Sequence, residues 1–411
     1  MNAKESLLKC LSDRRRKETE DLIALFNLSE QSQLELIKNE VDLMLFSEES
    51  LAGKLDVEKL LSLDKGARRN AFMKEMRCVM KDLEKGPIDY SAFPSLKPQK
   101  GKIEICFEES TLGFGRCPCP IDGEETRCCK LRTLDVITQC AFSCAYCSVQ
   151  AFYDKNRIRV VSDLKKKLDA LKLDDSIWHI GTGQASDSLF LGDDYSTLSD
   201  LAYFAEKHPG IVIELKSKAC RSDIFKRKYP RNMIFTWSLN AETIIEKEER
   251  GTAALSKRLE CAQMARDNGS LVGFHIHPMV YFKGWEEEYA HVVEEIEKLF
   301  SPSEILMISS GTLIFTKENL RFIREKMVRT RVPQMEKTLS AGKYTYPFEI
   351  KKEMFTHLFS TFDPGFIENI FTYLCLEDPR LWLPVLKRQY SCDKDFEMDM
   401  KKHYLMKINS V

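Results

Sequence analysis

From residue 1 to about 90, apolar residues recur at three- and four-residue steps among charges: Leu22, Ile23, Leu25 and Phe26, then Leu34, Leu36, Ile37 and Val41. That period puts them on one stripe of a helix, so the stretch predicts a helical N-terminal extension over 1–90. Helical periodicity fails between Gly86 and Lys102, where Pro87, Pro94 and Pro98 remove backbone donors. A linker and a cysteine-rich segment therefore occupy 91–130. Beyond it, short β-branched runs alternate with amphipathic stretches. Strands are predicted at Leu134–Thr138, Ile177–Ile180, Ile211–Leu215, Ile234–Ser238, Val272–His277 and Ile305–Ser309. Between them Leu164–Leu171, Ala253–Ala265 and Glu287–Phe300 read as helices.

Such alternation is the mark of parallel βαβ units. Six strands with crossovers fit an α/β fold, an incomplete (β/α)6 TIM-type barrel over 131–330, with an open doubly wound sheet as the alternative. The remainder, 331–411, has a helical stretch at Phe348–Phe359 and then IFTYLCLEDPRLWL, read as C-terminal covering helices with a late strand. Both architectures place reactive groups at the carboxyl ends of the strands. The residues there are chemically capable: Cys140 after the first strand, Gly181 to Asp187 after the second, Lys216 and Lys218 after the third, Ser238 and Asn240 at the fourth, His275 and His277 at the fifth.

Composition narrows the chemistry. With 411 residues, 43% of them hydrophobic, the chain can bury a sizeable core, and its net charge of −1 gives no global attraction to nucleic acid. Any nucleic-acid site must be a local patch. No apolar run is long enough to span a bilayer and the N-terminus lacks a signal-peptide pattern, so a cytoplasmic protein without a membrane partner is expected. Half of the 14 cysteines fall between Cys117 and Cys147, a crowding that in an intracellular protein argues for metal or redox use more than disulfides.

Within that crowd, CAFSCAYC sets Cys140, Cys144 and Cys147 in a C-x3-C-x2-C spacing. Three thiolates on one loop can hold three irons of a [4Fe–4S] cluster and leave the fourth iron open to substrate chemistry. A zinc knuckle or inert buried thiols are the alternatives. Upstream, CPCPIDGEETRCCK carries Cys117, Cys119, Cys128 and Cys129, which fit a second metal site, a redox pair or simple packing. The segment Asp13–Lys17, DRRRK, reads as a solvated helix face rather than a phosphate contact. From Lys216 to Arg231, KSKACRSDIFKRKYPR gathers seven cations against Asp223; it could neutralise phosphates, with Phe225 and Tyr229 stacking on a base. His275, His277 and Tyr281 would sit near the barrel mouth, as substrate contacts or as satisfied core side chains.

With Tyr146 before its third cysteine, the CAFSCAYC spacing resembles the radical S-adenosylmethionine superfamily. Two longer stretches, ITQCAFSCAYCSVQAFY and TWSLNAETIIEKEERGTAALSKRLECAQMARDNGSLVGFHIHPMVYFKGWEEEY, are similar to spore photoproduct lyase and its wider family, a likeness that runs from about Cys117 to about Trp382. The resemblance implies that Cys140, Cys144 and Cys147 bind the cluster, that Ser186, Lys218 and Ser238 contact S-adenosylmethionine, and that a 5′-deoxyadenosyl radical acts on a DNA photoproduct. Tyr146 is carried over as catalytic, and an electron donor such as flavodoxin or ferredoxin is implied.

Two positions depart from the family pattern. Gln184 in GTGQASDSL stands where the lyase proper has a hydrogen-donating cysteine, and Ser148 stands where it has a tyrosine; GTGQASDSL resembles a GTG-type version outside the strict lyase group. Cys375 in YLCLED is then a candidate hydrogen-atom donor, or a structural cysteine. Besides photoproduct repair, two further readings remain: the same chemistry on another substrate, and a non-catalytic iron–sulfur or zinc protein that binds nucleic acid.

Overall fold

The computed structural model describes residues 3–95, 103–117, 126–152, 157–340 and 342–410. Its centre is one eight-stranded sheet: β1 Phe114–Arg116, β2 Arg132–Leu134, β3 His179–Thr182, β4 Val212–Ser217, β5 Met233–Leu239, β6 Val272–Met279, β7 Ile305–Thr312 and β8 Phe371–Leu374. Spatial order follows chain order, β1 and β8 form the two edges, and every neighbouring pair is parallel except β1 with β2. The sheet curls as an open half-barrel, the architecture the alternating pattern predicts.

The apolar runs explain the strands. All seven residues of β5 and all eight of β7 are buried, as parallel strands covered on both faces require. Helices Thr197–Lys207, Leu255–Asp267 and Trp285–Leu299 pack on the outside through residues such as Leu201, Leu259 and Val293. The inner face takes every second residue, and there the sequence turns polar: Glu214 and Lys216 on β4, Thr236 and Ser238 on β5, His275 and His277 on β6, Ser309 on β7. Glu214 accepts from His179 Nε2 at 2.9 Å, His275 Nε2 at 2.7 Å and the Thr236 hydroxyl at 3.2 Å, while His275 Nδ1 meets Ser309 Oγ at 2.6 Å. This network fills the barrel interior below the strand ends.

The ends of the strand run differ from expectation. The first strand stops at Leu134 because the Val136 amide turns back to the Leu134 carbonyl at 3.0 Å. Ile137–Thr138 then leaves the barrel and pairs antiparallel with Arg157–Val161, which also pairs with Glu104–Glu108. At the far edge, the late strand expected in the C-terminal region, Phe371–Leu374, joins the barrel sheet as a seventh parallel strand.

The C-terminal helix Asp393–Asn409 covers the amino ends of the strands. Its Tyr404 ring lies 5.9 Å from Trp178 and 5.5 Å from His179, and buried Lys407 donates to the carbonyls of Pro302, Ile305 and Asn369. At the other end of the chain, helix Glu30–Leu45 has two apolar faces. Leu36 and Leu43 join a small core with Phe26, Leu51, Phe72 and Met76, while Ile37, Val41 and Leu45 join the main core. Arg15, from the DRRRK run, bonds to Glu40 at 3.1 Å, and Arg16 donates to the Leu8 and Leu11 carbonyls. Two of its three arginines thus serve helix packing.

Cys220 and Cys261, outside the crowded stretch for which metal or redox use is expected more than disulfides, are joined by a disulfide with a Cα–Cα distance of 5.5 Å. It links the segment after β4 to helix Leu255–Asp267. Among the described residues no helix is long and apolar enough to cross a membrane.

Candidate active site

The three-cysteine loop lies at the carboxyl edge of the half-barrel. Ser143–Cys144 forms a short antiparallel ladder with Glu249–Arg250, in which Cys144 is opposite Glu249. The Ala145 amide donates to the Glu248 carbonyl at 2.8 Å, and the Cys147 amide turns back to Cys144 at 3.0 Å. Backbone amides aim at two sulfurs: Phe142 at Cys140, and Val149 and Gln150 at Cys147. Such donors stabilise thiolate charge on a metal. Burial pushes all three thiols above the ordinary range, the direction that disfavours the thiolate wherever no positive charge stands beside it. Among the described residues no group of three or more His, Cys, Asp or Glu side chains is set to hold a metal ion.

Beside the loop, one buried carboxylate gathers the remaining polar groups. Glu249 Oε1 accepts from the Tyr146 hydroxyl, from Lys218 Nζ at 3.0 Å and from Asn240 Nδ2 at 3.2 Å, and its Oε2 accepts from Arg258 Nη2 at 2.6 Å. Arg258 also donates to the Ser238 carbonyl at 2.7 Å. Although burial opposes ionisation, the Arg258 and Lys218 cations hold Glu249 at about 2. Lys218 Nζ stands 5.8 Å over the Tyr146 ring. Loop, lysine and the end of β5 are thereby fixed to one another.

Asp187 does the same for the loop after β3. Its carboxylate accepts from Ser217 Oγ at 2.8 Å, the Lys218 amide at 2.6 Å and the Leu189 and Phe190 amides at 3.1 and 2.9 Å. Ser186, half-buried beside it, is held next to the end of β4. Gly183 makes this turn possible: its φ is +81°, and a Cβ there would lie 2.6 Å from the Lys216 carbonyl. Gln184 folds over Gly181, where its Nε2 would meet an added Cβ at 2.8 Å.

The structure therefore brings Cys140, Cys144, Cys147, Tyr146, Ser186, Lys218 and Ser238 to one edge of the sheet. The remaining candidates divide between core and strand end. His275 is a core histidine within the Glu214 network; burial, then the Lys216 ammonium, pull it down to about 4, leaving a neutral imidazole. His277 lies above it toward the strand end, where the absence of a side chain on Gly311 makes room for its ring. Tyr281 packs on Trp285 and Tyr346.

In the basic segment the stacking role expected of two rings is corrected. Phe225 and Tyr229 are buried against Phe235, each at a ring distance of 5.0 Å, so neither ring is free to stack on a base. Lys218 is tied to Glu249, Arg221 to Asp194 and Asp223, Arg227 to Asp193, and Arg231 to the carbonyls of Lys407, Ile408 and Ser410. Lys226 and Lys228 remain on an exposed surface. An open cleft of about 640 Å³ shares no residue with the cysteine loop; it lies between Phe107, Tyr195 and the turn Ser162–Lys166. Cys119 lies outside the described residues.

Glu249 was hidden in the sequence, since EKEER reads as a charged helix face, and Arg258 sits in a stretch whose pattern shows only a helix. The signal that finds Glu249 is the ladder with Cys144, which only the fold supplies.

Fold and loop define a class: an α/β half-barrel whose cysteine loop, at the carboxyl edge of the strands, is anchored by a buried carboxylate. The spore photoproduct lyase family model matches residues 126–375, and the chain belongs to that family. Spore photoproduct lyase of Bacillus subtilis (strain 168) is 31% identical over 122 residues, 27% of this chain and 35% of the relative. The enzyme of Geobacillus sp. (strain Y412MC61) is 24% identical over 129 residues, 29% of this chain and 38% of the relative. The chain thus spans less than two fifths of the length of these curated relatives. Spore photoproduct lyase complexed with dinucleoside spore photoproduct superposes with a TM-score of 0.54 at 19% identity, covering 74% of this chain and 94% of that one. A mutant of it with bound AdoMet and dinucleoside spore photoproduct gives 0.54 at 19%, covering 74% and 93%. At such identity the likeness establishes the fold.

Proposed function

We propose that the chain is a radical S-adenosylmethionine enzyme that repairs a DNA photoproduct of the thymine-dimer type. The observation that carries this reading is the hub at Glu249, which ties the three-cysteine loop, through Tyr146, to Lys218 and to the end of β5. Cys140, Cys144 and Cys147 would hold a [4Fe–4S] cluster, and Ser186, Lys218 and Ser238 would contact the cofactor. Bound together and reduced by a flavodoxin- or ferredoxin-type partner, cluster and cofactor would supply a 5′-deoxyadenosyl radical.

The protein's own part is placement and charge. Lys218 carries an ammonium to the strand edge, where a carboxylate can pair with it. Glu249, ionised and already shared with Arg258, keeps that ammonium in place and draws the Tyr146 hydroxyl inward. The Glu214 network and the C-terminal helix seal the barrel below the edge, so a radical formed there meets packed side chains rather than water. The photoproduct as substrate is supported by family membership and by the similar structures that hold dinucleoside spore photoproduct. A second reading, the same chemistry on another substrate, is favoured by one observation: Gln184 occupies the family's thiol position, and an amide gives no hydrogen atom.

Anaerobically reconstituted protein should reductively cleave S-adenosylmethionine to 5′-deoxyadenosine and restore the paired thymines within the strand of ultraviolet-irradiated DNA, with no change in undamaged DNA. Cleavage without repair selects the second reading; no cleavage under strong reductant refutes both.

A further inference from the structure

Among the described residues, Phe107 at 63% and Tyr195 at 37% are the large aromatic side chains left exposed, and they meet edge to face with ring centroids 5.5 Å apart. Single exposed rings are ordinary surface, but two rings from separate elements that meet at a cleft of about 640 Å³ make a wall. Phe107 projects from Glu104–Glu108, opposite Val160 of Arg157–Val161, and Val160 and Val161 line the cleft beside it. Tyr195 belongs to the loop after β3, which also carries Gln184, Ser186 and Asp187. On its other side Arg157–Val161 pairs with Ile137–Thr138, which lead to Cys140. The backbone therefore ties the cleft to two parts of the candidate active site.

Charges of both signs rim the cleft. Lys165 and Lys166 are exposed on the helix Leu164–Asp169, with Lys165 Nζ 4.0 Å over the Tyr203 ring. Of the three carboxylates, Asp169 is bonded to Lys207 at 2.7 Å, Asp200 accepts the Lys165 amide, and Asp163 is exposed at the turn. A rim so balanced is no trap for a bare phosphate. What it offers is two π faces with an ammonium beside them, the combination that recognises an unstacked base and its phosphate. Bases inside a duplex have both faces covered, so the strand has to be single.

We propose that this cleft holds an unstacked base of the single strand flanking the lesion, with its ring against Phe107 and Tyr195 and the adjoining phosphate against Lys166. It supplies the stacking that Lys216–Arg231 cannot, because Phe225 and Tyr229 are packed inward. The inference rests on DNA as the substrate, but its test needs neither cluster nor cofactor.

Full-length protein should bind a fluorescein-labelled oligothymidylate of about ten nucleotides, read by fluorescence anisotropy, and should bind an abasic strand of equal length about fivefold more weakly or worse. Phe107→Leu and Tyr195→Leu keep an apolar side chain but lose the aromatic face, and each should weaken oligothymidylate binding about fivefold or more. Phe107→Trp should hold or tighten it. Lys166→Gln should reduce the slope of log K against log salt by about 0.7, the share of one phosphate on a single strand. Circular dichroism should be unchanged throughout; if a leucine variant unfolds, Phe107→Trp and Lys166→Gln decide. Equal affinity for the abasic strand overturns the proposal, as do folded leucine variants that bind like the parent. A parent that binds no oligothymidylate also overturns it and assigns the rings to a protein partner. Repair of irradiated DNA with normal binding by both leucine variants refutes the cleft and keeps the proposed function; binding that needs both rings, without repair, does the reverse.

Discussion

Glu248 and Glu249 are chain neighbours with 0% and 2% exposure, yet their acidities are pushed in opposite directions. Glu248 looks outward from the barrel. It accepts from the Tyr90 hydroxyl at 2.9 Å, the Thr330 hydroxyl at 2.7 Å and the Arg331 amide at 2.9 Å, where the N-terminal region and residues 330–331 meet the barrel. All three donors are neutral, and burial pushes the carboxyl up to about 7. Glu249 looks inward, and the cations of Arg258 and Lys218 bring it to about 2. Equal burial with unequal partners gives an interface that tolerates a neutral acid and a site built around a fixed anion.

The largest effect should come from breaking the charged side. Arg258→Met removes the closest cation from a carboxylate that stays buried, and loss of one partner of such a pair costs roughly 3–5 kcal/mol. Urea unfolding should show that loss. A cost below about 1 kcal/mol would mean that Lys218 alone satisfies Glu249.

The neutral side predicts a pH dependence of the opposite kind. The folded protein binds the Glu248 proton more tightly than the unfolded chain, because the group moves from 4.5 to about 7. Its stabilising contribution is full below about pH 4.5 and is lost as the pH rises through about 7, an amount on the order of 3 kcal/mol. Glu248→Gln keeps the acceptor oxygen and removes the ionisation, so the variant should match the parent near pH 5 and exceed it at pH 8. Equal stability of the two proteins at pH 8 would contradict the assignment.

A smaller change sharpens the same contrast. Tyr90→Phe deletes one of the neutral donors, at a cost of about 1 kcal/mol. Fewer hydrogen bonds to the ionised form should also move the Glu248 titration further up, visible as a shift of the pH–stability curve to higher pH.

Much of this architecture was legible in the chain, for reasons that also set the limit. Strands such as Met233–Leu239 are buried on both faces, so an apolar run bounded by turns announces them. The first strand misleads because the apolar run continues past Asp135, and no periodicity reveals that Val136 turns back on Leu134. Cys140, Cys144 and Cys147 are close in sequence and need no fold to be grouped. Glu249 is remote from them, and its meeting with Tyr146 depends on a two-residue ladder. Phe225 and Tyr229 misled in the other sense: the surrounding lysines and arginines suggest a surface, while their rings pack beneath the segment against Phe235.

The comparison extends to charges that water already stabilises, where the effect should be smallest. Arg221 bonds to Asp223 at 2.8 Å and to Asp194 at 3.2 Å, with about a quarter of its side chain and half or more of each carboxylate exposed. Solvent screens both forms of such a pair, and fixing long side chains costs entropy, so Arg221→Gln should change stability by about 0–1 kcal/mol. The difference should shrink further as salt is raised to about 1 M. Arg258→Met, whose cation is sealed from solvent, should keep most of its cost under the same salt. If both variants responded to salt alike, Glu249 would be reached by water, and the anion at its hub would owe its charge to solvent rather than to its partners.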